Sequence, residues 1–175
     1  MTPDRLKEIK LIIAKEWQDD FEMQKHTLDN QIKSYNKIEK LKLKNIDDTI
    51  FNKIVLSVSK EWKDDYEMQL HTIKEQLKSA KKLTEYTNDK IPNNILEKIK
   101  NEALKEWEDD FEMQLHTIKE QSKSARKVID YINEKIPNDI LNKIKADALT
   151  EWENDYEMQL DTIKIQSKAW IKLNK

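Results

Sequence analysis

The sequence has no glycine and no cysteine in 175 residues, and only three prolines. An average globular chain is about 7% glycine. Without it there is no phosphate-cradling loop, no Rossmann turn and no glycine-dependent tight hairpin. Without cysteine there is no disulfide, no thiolate metal site and no cysteine nucleophile. Arginine is nearly missing too: Arg5 and Arg126 stand among 32 basic residues. Planar recognition of phosphate favours arginine over lysine, which argues against specific nucleic-acid readout. Neither sign of charge dominates, with 34 acidic residues and a net charge of −2. Apolar runs stop at stretches such as Leu11-Ile12-Ile13-Ala14, far short of the ~18–20 residues that span a bilayer. The opening Met1-Thr2-Pro3-Asp4 does not read as a secretory leader. These absences lead to the expectation of a soluble, cytoplasmic protein with no membrane partner.

What is present is 38% charged and 37% apolar residues, the composition of a long-helix protein. Self-comparison shows how it is organised. The phrase Glu-Trp-x-Asp/Asn-Asp-Phe/Tyr-Glu-Met-Gln-x-His/Asp-Thr begins at Glu16, Glu61, Glu106 and Glu151, in steps of 45. The chain reads as a single repeat domain over 1–175, with units 1–45, 46–90, 91–135 and 136–175. Eleven columns are identical in all four units: those of Ile99, Glu106, Trp107, Asp110, Glu112, Met113, Gln114, Thr117, Gln121, Lys123 and Lys127. Seven of them crowd into 106–117, which marks that segment as physically constrained.

Asn- and Pro-bearing joints separate the units: Asn88-Asp89-Lys90-Ile91-Pro92-Asn93 and Asn133-Glu134-Lys135-Ile136-Pro137-Asn138, with Asn45-Ile46-Asp47-Asp48 a degenerate form. Asn is expected to take the left-handed C-cap role of the missing glycine, and Pro to start the next helix. Within unit three, Leu96, Ile99, Ala103, Trp107, Phe111, Leu115, Ile118, Ala125, Val128 and Ile132 recur at helical steps. Asp109-Asp110-Phe111-Glu112 reads as a capping box with Asp109 as N-cap. It would end helix A near Trp107 and start a helix B running to about Ile132.

The expected fold is therefore all-α: four tandem helical hairpins stacked as a short solenoid-like array, the alternative being a bundle of four long helices. In period and helix count the repeat resembles the HEAT or armadillo class, with no signature residue shared. Lys25 replaces Leu70, Leu115 and Leu160, while Tyr35 and Trp170 replace Ala80 and Ala125. These end-unit substitutions suit capping.

Trp17, Trp62, Trp107 and Trp152 are expected in the structural core. Glu106, Asp110, Met113, Gln114, Thr117 and Gln121, with Glu61, Asp65, Met68, Gln69, Thr72 and Gln76 before them, form a mixed polar stripe. Its expected role is a seam between units, the alternative an external binding surface. The acidic residues gather where helix B starts, and Lys119, Lys123, Arg126 and Lys127 toward its end, as the helix dipole favours.

Three function classes compete. A non-catalytic scaffold or protein-binding module, working through charged helix-face ridges, fits four copies of one geometry best. A metal-binding protein could use Met113 and His116, or Glu112 and His116, and their counterparts. The Glu-x-x-His spacing of di-iron bundles is not there, however. A lysine ridge through Lys78, Lys81, Lys82, Lys119, Lys123 and Lys127 could meet nucleic-acid phosphates. No catalytic residue, metal ligand or cofactor is assigned, because repeated geometry does not build one asymmetric active site.

Overall fold

The computed structural model describes residues 1–44 and 48–174. The joint at Asn45-Ile46-Asp47 lies outside the described residues. The described residues form eight helices and no strand: α1 Pro3–Trp17, α2 Phe21–Lys44, α3 Thr49–Glu61, α4 Tyr66–Glu85, α5 Asn93–Trp107, α6 Phe111–Ile129, α7 Asn138–Trp152 and α8 Tyr156–Leu173. Each 45-residue period thus holds two helices, not one long one. Among the described residues no helix is long and apolar enough to cross a membrane.

The chain forms two compact units, Met1–Lys81 and Lys82–Lys175. In the first, α1 packs on α2, and Ile9, Ile13, Ile38, Phe51, Ile54, Val58, Leu70 and Ile73 are buried. In the second, α5 packs on α6, α7 on α8, and α6 on α8. Its core joins Ile91, Leu96, Ile99, Ala103, Ile118, Ala125 and Tyr156. Apolar residues at steps of three and four give each helix one stripe to bury. The small Ala103 and Ala125, both fully enclosed, let neighbouring helices approach closely.

The break between helix A and helix B is the same in every repeat. The aspartate one residue before helix B turns its backbone N–H back to the tryptophan carbonyl: Asp20 to Trp17 at 2.8 Å, and Asp65 to Trp62, Asp110 to Trp107 and Asp155 to Trp152 at 2.7 Å. That aspartate is also the N-cap. Asp110 Oδ1 accepts from the N–H of Glu112 at 3.2 Å and of Met113 at 3.1 Å. The capping role therefore belongs to Asp110, not to Asp109 as the capping-box spacing suggested. The tight turn at Trp107 delays helix B by one residue.

The left-handed backbone positions are also not where the asparagines are. Gln18, Lys63, Glu108 and Glu153, the residues after or near the end of helix A, hold φ between 25° and 38°. Asn88 and Asn133 instead use their side chains, accepting at 3.1 Å from the N–H of Lys90 and Lys135. Such Asx turns spend the side-chain oxygen locally. Pro92 and Pro137 are N-caps rather than first helical residues. Helix α6 ends at Ile129 with Asp130 as C-cap, so Ile132 lies beyond it and is 79% exposed.

A non-glycine residue at positive φ costs on the order of 1–3 kcal/mol. The substitution Glu108→Gly should therefore raise the unfolding free energy by about 1 kcal/mol. Urea denaturation would show this as a higher midpoint at unchanged slope, and a lower midpoint would refute the strain at Glu108.

Candidate functional site: a polar seam at the helix junctions

Three kinds of contact, made by four invariant side chains, gather at the helix junctions. The first is the glutamine of the Gln114 column. Gln114 Nε2 donates to the carbonyl of Glu108 at 2.7 Å, Gln69 Nε2 to that of Lys63 at 2.8 Å, and Gln159 Nε2 to that of Glu153 at 2.8 Å. Gln24 makes the same bond to Gln18. Each amide reaches back six residues and holds the one residue whose φ is positive. Gln69, Gln114 and Gln159 are buried, so the bond is made away from competing water and the strained turn is fixed.

The second is the tryptophan–threonine pair. Trp107 Nε1 donates to Thr117 Oγ1 and Trp152 Nε1 to Thr162 Oγ1, both at 2.9 Å. This ties helix A to helix B within one repeat. Trp17, Trp62, Trp107 and Trp152 are half-buried, lying at the rim of the core rather than inside it. The indole N–H groups of Trp17 and Trp62 are buried without an acceptor among the described residues.

The third links successive repeats. Gln121 Nε2 donates to Asp155 Oδ1 at 3.1 Å, and its Oε1 accepts from the Tyr156 backbone N–H at 2.7 Å. Gln31 does the same to Asp65 Oδ1 at 3.1 Å and to the Tyr66 N–H at 2.7 Å. One amide group therefore reads both the N-cap carboxylate and the first free N–H of the next helix B. The geometry needs a donor and an acceptor at a fixed reach, which only a glutamine side chain of this length presents. Bonds to a charged partner contribute about 1.5–3 kcal/mol each. In the first unit, Arg5 adds to this contact. Its Nε donates to Tyr66 Oη at 3.1 Å and its Nη2 to the Lys63 carbonyl at 3.0 Å, and it is paired with Asp64. Its guanidinium also lies 5.7 Å from the Tyr66 ring centre. The hydrogen bond it donates to Tyr66 leads the interactions that raise the Arg5 pKa, so it stays charged at every working pH.

The two seams enclose matching clefts. Ile9, Glu16, Thr27, Gln31, Trp62 and Asp65 line one of about 310 Å³. Their counterparts Ile99, Glu106, Thr117, Gln121, Trp152 and Asp155 line one of about 240 Å³. Glu106 belongs to α5 and Thr117 and Gln121 to α6, so the stripe is carried by two helices that the fold brings together. Met68 and Met113 are half-buried beside it, and Glu61 and Glu106 are exposed at its edge. Asp65, Asp110 and Thr72 are half-buried, and Gln76 is buried.

His26, His71 and His116 are exposed, and His26 lies 3.3 Å from Asn30 Nδ2. Among the described residues no three of His, Asp and Glu gather as metal ligands. The chain matches no family model, no curated protein and no solved structure. Its chemistry is therefore read from the residues alone. The role of Gln121 as a two-way reader was missed by sequence reasoning, although its invariance was the available signal.

Two outcomes follow. Gln121→Ala leaves the Tyr156 N–H and Asp155 partly uncovered and should cost roughly 1–3 kcal/mol. A double-mutant cycle with Asp155→Ala should give a coupling of at least about 0.5 kcal/mol; additive losses would mean no direct bond. Burial raises the Tyr156 pKa, so its neutral form is the one the fold holds. That stability is complete below the ordinary tyrosine pKa of about 10 and is lost as pH climbs through the raised folded value. Melting temperatures should fall with pH above about 10, and Tyr156→Phe should flatten that fall.

Proposed function

We propose that the chain is a non-catalytic protein-interaction module that binds its partner through charged helix faces. One observation carries this reading: the invariant residues divide into two groups by exposure. Asp110, Gln114, Thr117 and Gln121 are half-buried or buried, and their polar atoms are held in junction and seam bonds. The columns of Glu106, Glu112, Lys123 and Lys127 are exposed in all four repeats. Capping and stacking account for the first group. A constraint on solvated side chains is what a binding surface would impose.

The exposed columns sort by sign. Glu22, Glu67, Glu112 and Glu157 lie in the first turn of each helix B. Lys37, Lys82, Lys127 and Lys172 lie a dozen or more residues further along. Each helix B therefore offers an acidic start and a basic end, suited to a partner with the opposite pattern. The basic side is less free than composition suggests. Lys78 pairs with Glu75 and Lys123 with Glu120, each at 3.1 Å, and Arg126 with Asp130 at 3.3 Å. Those carboxylates oppose a phosphate backbone, and this favours protein over nucleic acid.

Charge reversal tests the reading without touching a cap. Glu67→Lys with Glu112→Lys, and separately Lys82→Glu with Lys127→Glu, change exposed side chains only. Affinity capture with the tagged chain should lose its protein partner in one of the two pairs while the thermal melt stays within a few degrees of wild type. Equal recovery in both would refute binding by these faces. Anisotropy with mixed-sequence DNA and RNA supplies the competing outcome: tight binding that falls steeply with salt would move the assignment to nucleic acid.

A further inference from the structure

The joint between repeats has two chemically distinct halves, and one copy of each lies exposed, at repeats 4 and 1. The reading half is a glutamine, an aromatic or small residue four positions on, and an aliphatic residue three further. In repeat 1 it is Gln31, Tyr35 and Ile38. The receiving half is the N-cap aspartate and the aromatic after it, Asp65 and Tyr66 in repeat 2. When the halves meet, Gln31 bonds Asp65 and the Tyr66 N–H. Tyr35 packs edge-on against Tyr66 at 5.1 Å between ring centres and 80° between planes, and Ile38 is buried.

Repeat 4 carries the same reading half as Gln166, Trp170 and Leu173. Gln166 is exposed, and Leu173 is 85% exposed. Repeat 1 carries the same receiving half as Asp20 and Phe21. Asp20 caps its own helix, accepting from the Met23 N–H at 2.9 Å, and Phe21 is 74% exposed. Tyr156, the counterpart of Phe21 that has a preceding repeat on it, is 6% exposed. Phe21 lines an apolar groove of about 720 Å³ with Leu11, Ala14 and Leu28, bordered by Lys10 and Lys25.

We infer that this surface takes a second copy of the chain, docked head to tail, with repeat 4 of one copy reading repeat 1 of the next. Gln166 donates to Asp20 and accepts from the Phe21 N–H, and Trp170 packs on the Phe21 ring. The aromatic identity of residue 170 argues for this occupant. The middle repeats have Ala80 and Ala125 at that position, whereas Tyr35 and Trp170 match each other. Tyr35 is the residue whose ring meets the receiving aromatic of the following repeat. The contact is heterologous, since the two faces differ, so it propagates to a ring or a filament rather than stopping at a symmetric pair. Lys25 replaces the leucine of the other repeats at the groove border and weakens this joint relative to the internal ones. The contact uses the exposed faces of repeats 1 and 4 and is independent of the charged faces proposed above.

The test uses the full 175-residue chain in sedimentation velocity over a concentration series. Wild type should gain mass with concentration. Phe21→Asp blocks the receiving end and Gln166→Glu with Leu173→Asp blocks the reading end. All three residues are exposed, and circular dichroism should confirm unchanged helix content. Each blocked variant should associate at least about tenfold more weakly with itself, the effect of losing one charge-assisted contact or more. An equimolar mixture of the two should form a heterodimer that grows no further, because docking uses the one open end of each variant and leaves only the blocked ends. Lys25→Leu should strengthen wild-type association. A wild-type mass that does not change with concentration would overturn the inference. So would assembly that survives either block, or a mixture that stays monomeric while wild type associates.

Discussion

The bond on which the rest of the structure depends runs from one glutamine side chain to the first turn of the next helix. Gln121 offers an N–H to the Asp155 carboxylate and an oxygen to the Tyr156 N–H, and Gln31 repeats this on Asp65 and Tyr66. A helix start leaves several N–H groups without intrahelical partners. The N-cap aspartate covers two of them, and the glutamine of the preceding repeat covers another. Helices α4 and α8 are therefore each completed by the repeat before them. Apolar packing alone would tolerate sliding of one repeat on the next, since hydrophobic contact is non-directional. An amide that satisfies a donor and an acceptor at once tolerates little sliding, and so sets the register of the seam.

The same economy explains why a chain without glycine can turn so sharply. The junction after helix A puts Gln18, Lys63, Glu108 and Glu153 at positive φ, where glycine would be the easy choice. Instead the carbonyl of each accepts from the glutamine six residues on, and the aspartate two positions after it closes back on the tryptophan. The strain is local and is offset by bonds within the same dozen residues. This is the physical content of the crowding of invariant columns between Glu106 and Thr117. The segment is where the backbone is least forgiving, and the side chains of Asp110, Gln114 and the Trp107–Thr117 pair hold it.

How far the sequence discloses this depends on which interaction is asked about. Helical periodicity placed Leu96, Ile99, Ala103, Leu115, Ile118 and Ala125 in the core, because burial follows a 3.6-residue period whatever the partner helix is. The position of the break was legible to within one residue. Asp109 and Asp110 are both good N-caps, and only the turn back to the Trp107 carbonyl selects Asp110. Asn88 and Asn133 were misread as left-handed caps. Asparagine serves both left-handed caps and Asx turns, and nothing local separates the two. Gln121 stood out as invariant, but its partners lie 34 and 35 residues away. A contact at that distance has no periodic signature, so the stripe could be seen while its bonds could not.

Repetition gives the seam aspartates like surroundings. Asp65 and Asp155 are fixed by the same bonds, and the raised pKa of Tyr156 comes from burial alone. Repetition multiplies surface as well: exposed glutamates and lysines recur with every helix B. It also multiplies joints. A joint whose halves recur in every repeat leaves a copy of each exposed, at Asp20 and Phe21 on one side and Gln166 on the other. The chemistry that joins one repeat to the next, at Gln31 and again at Gln121, does not distinguish a neighbour in the same chain from one in another.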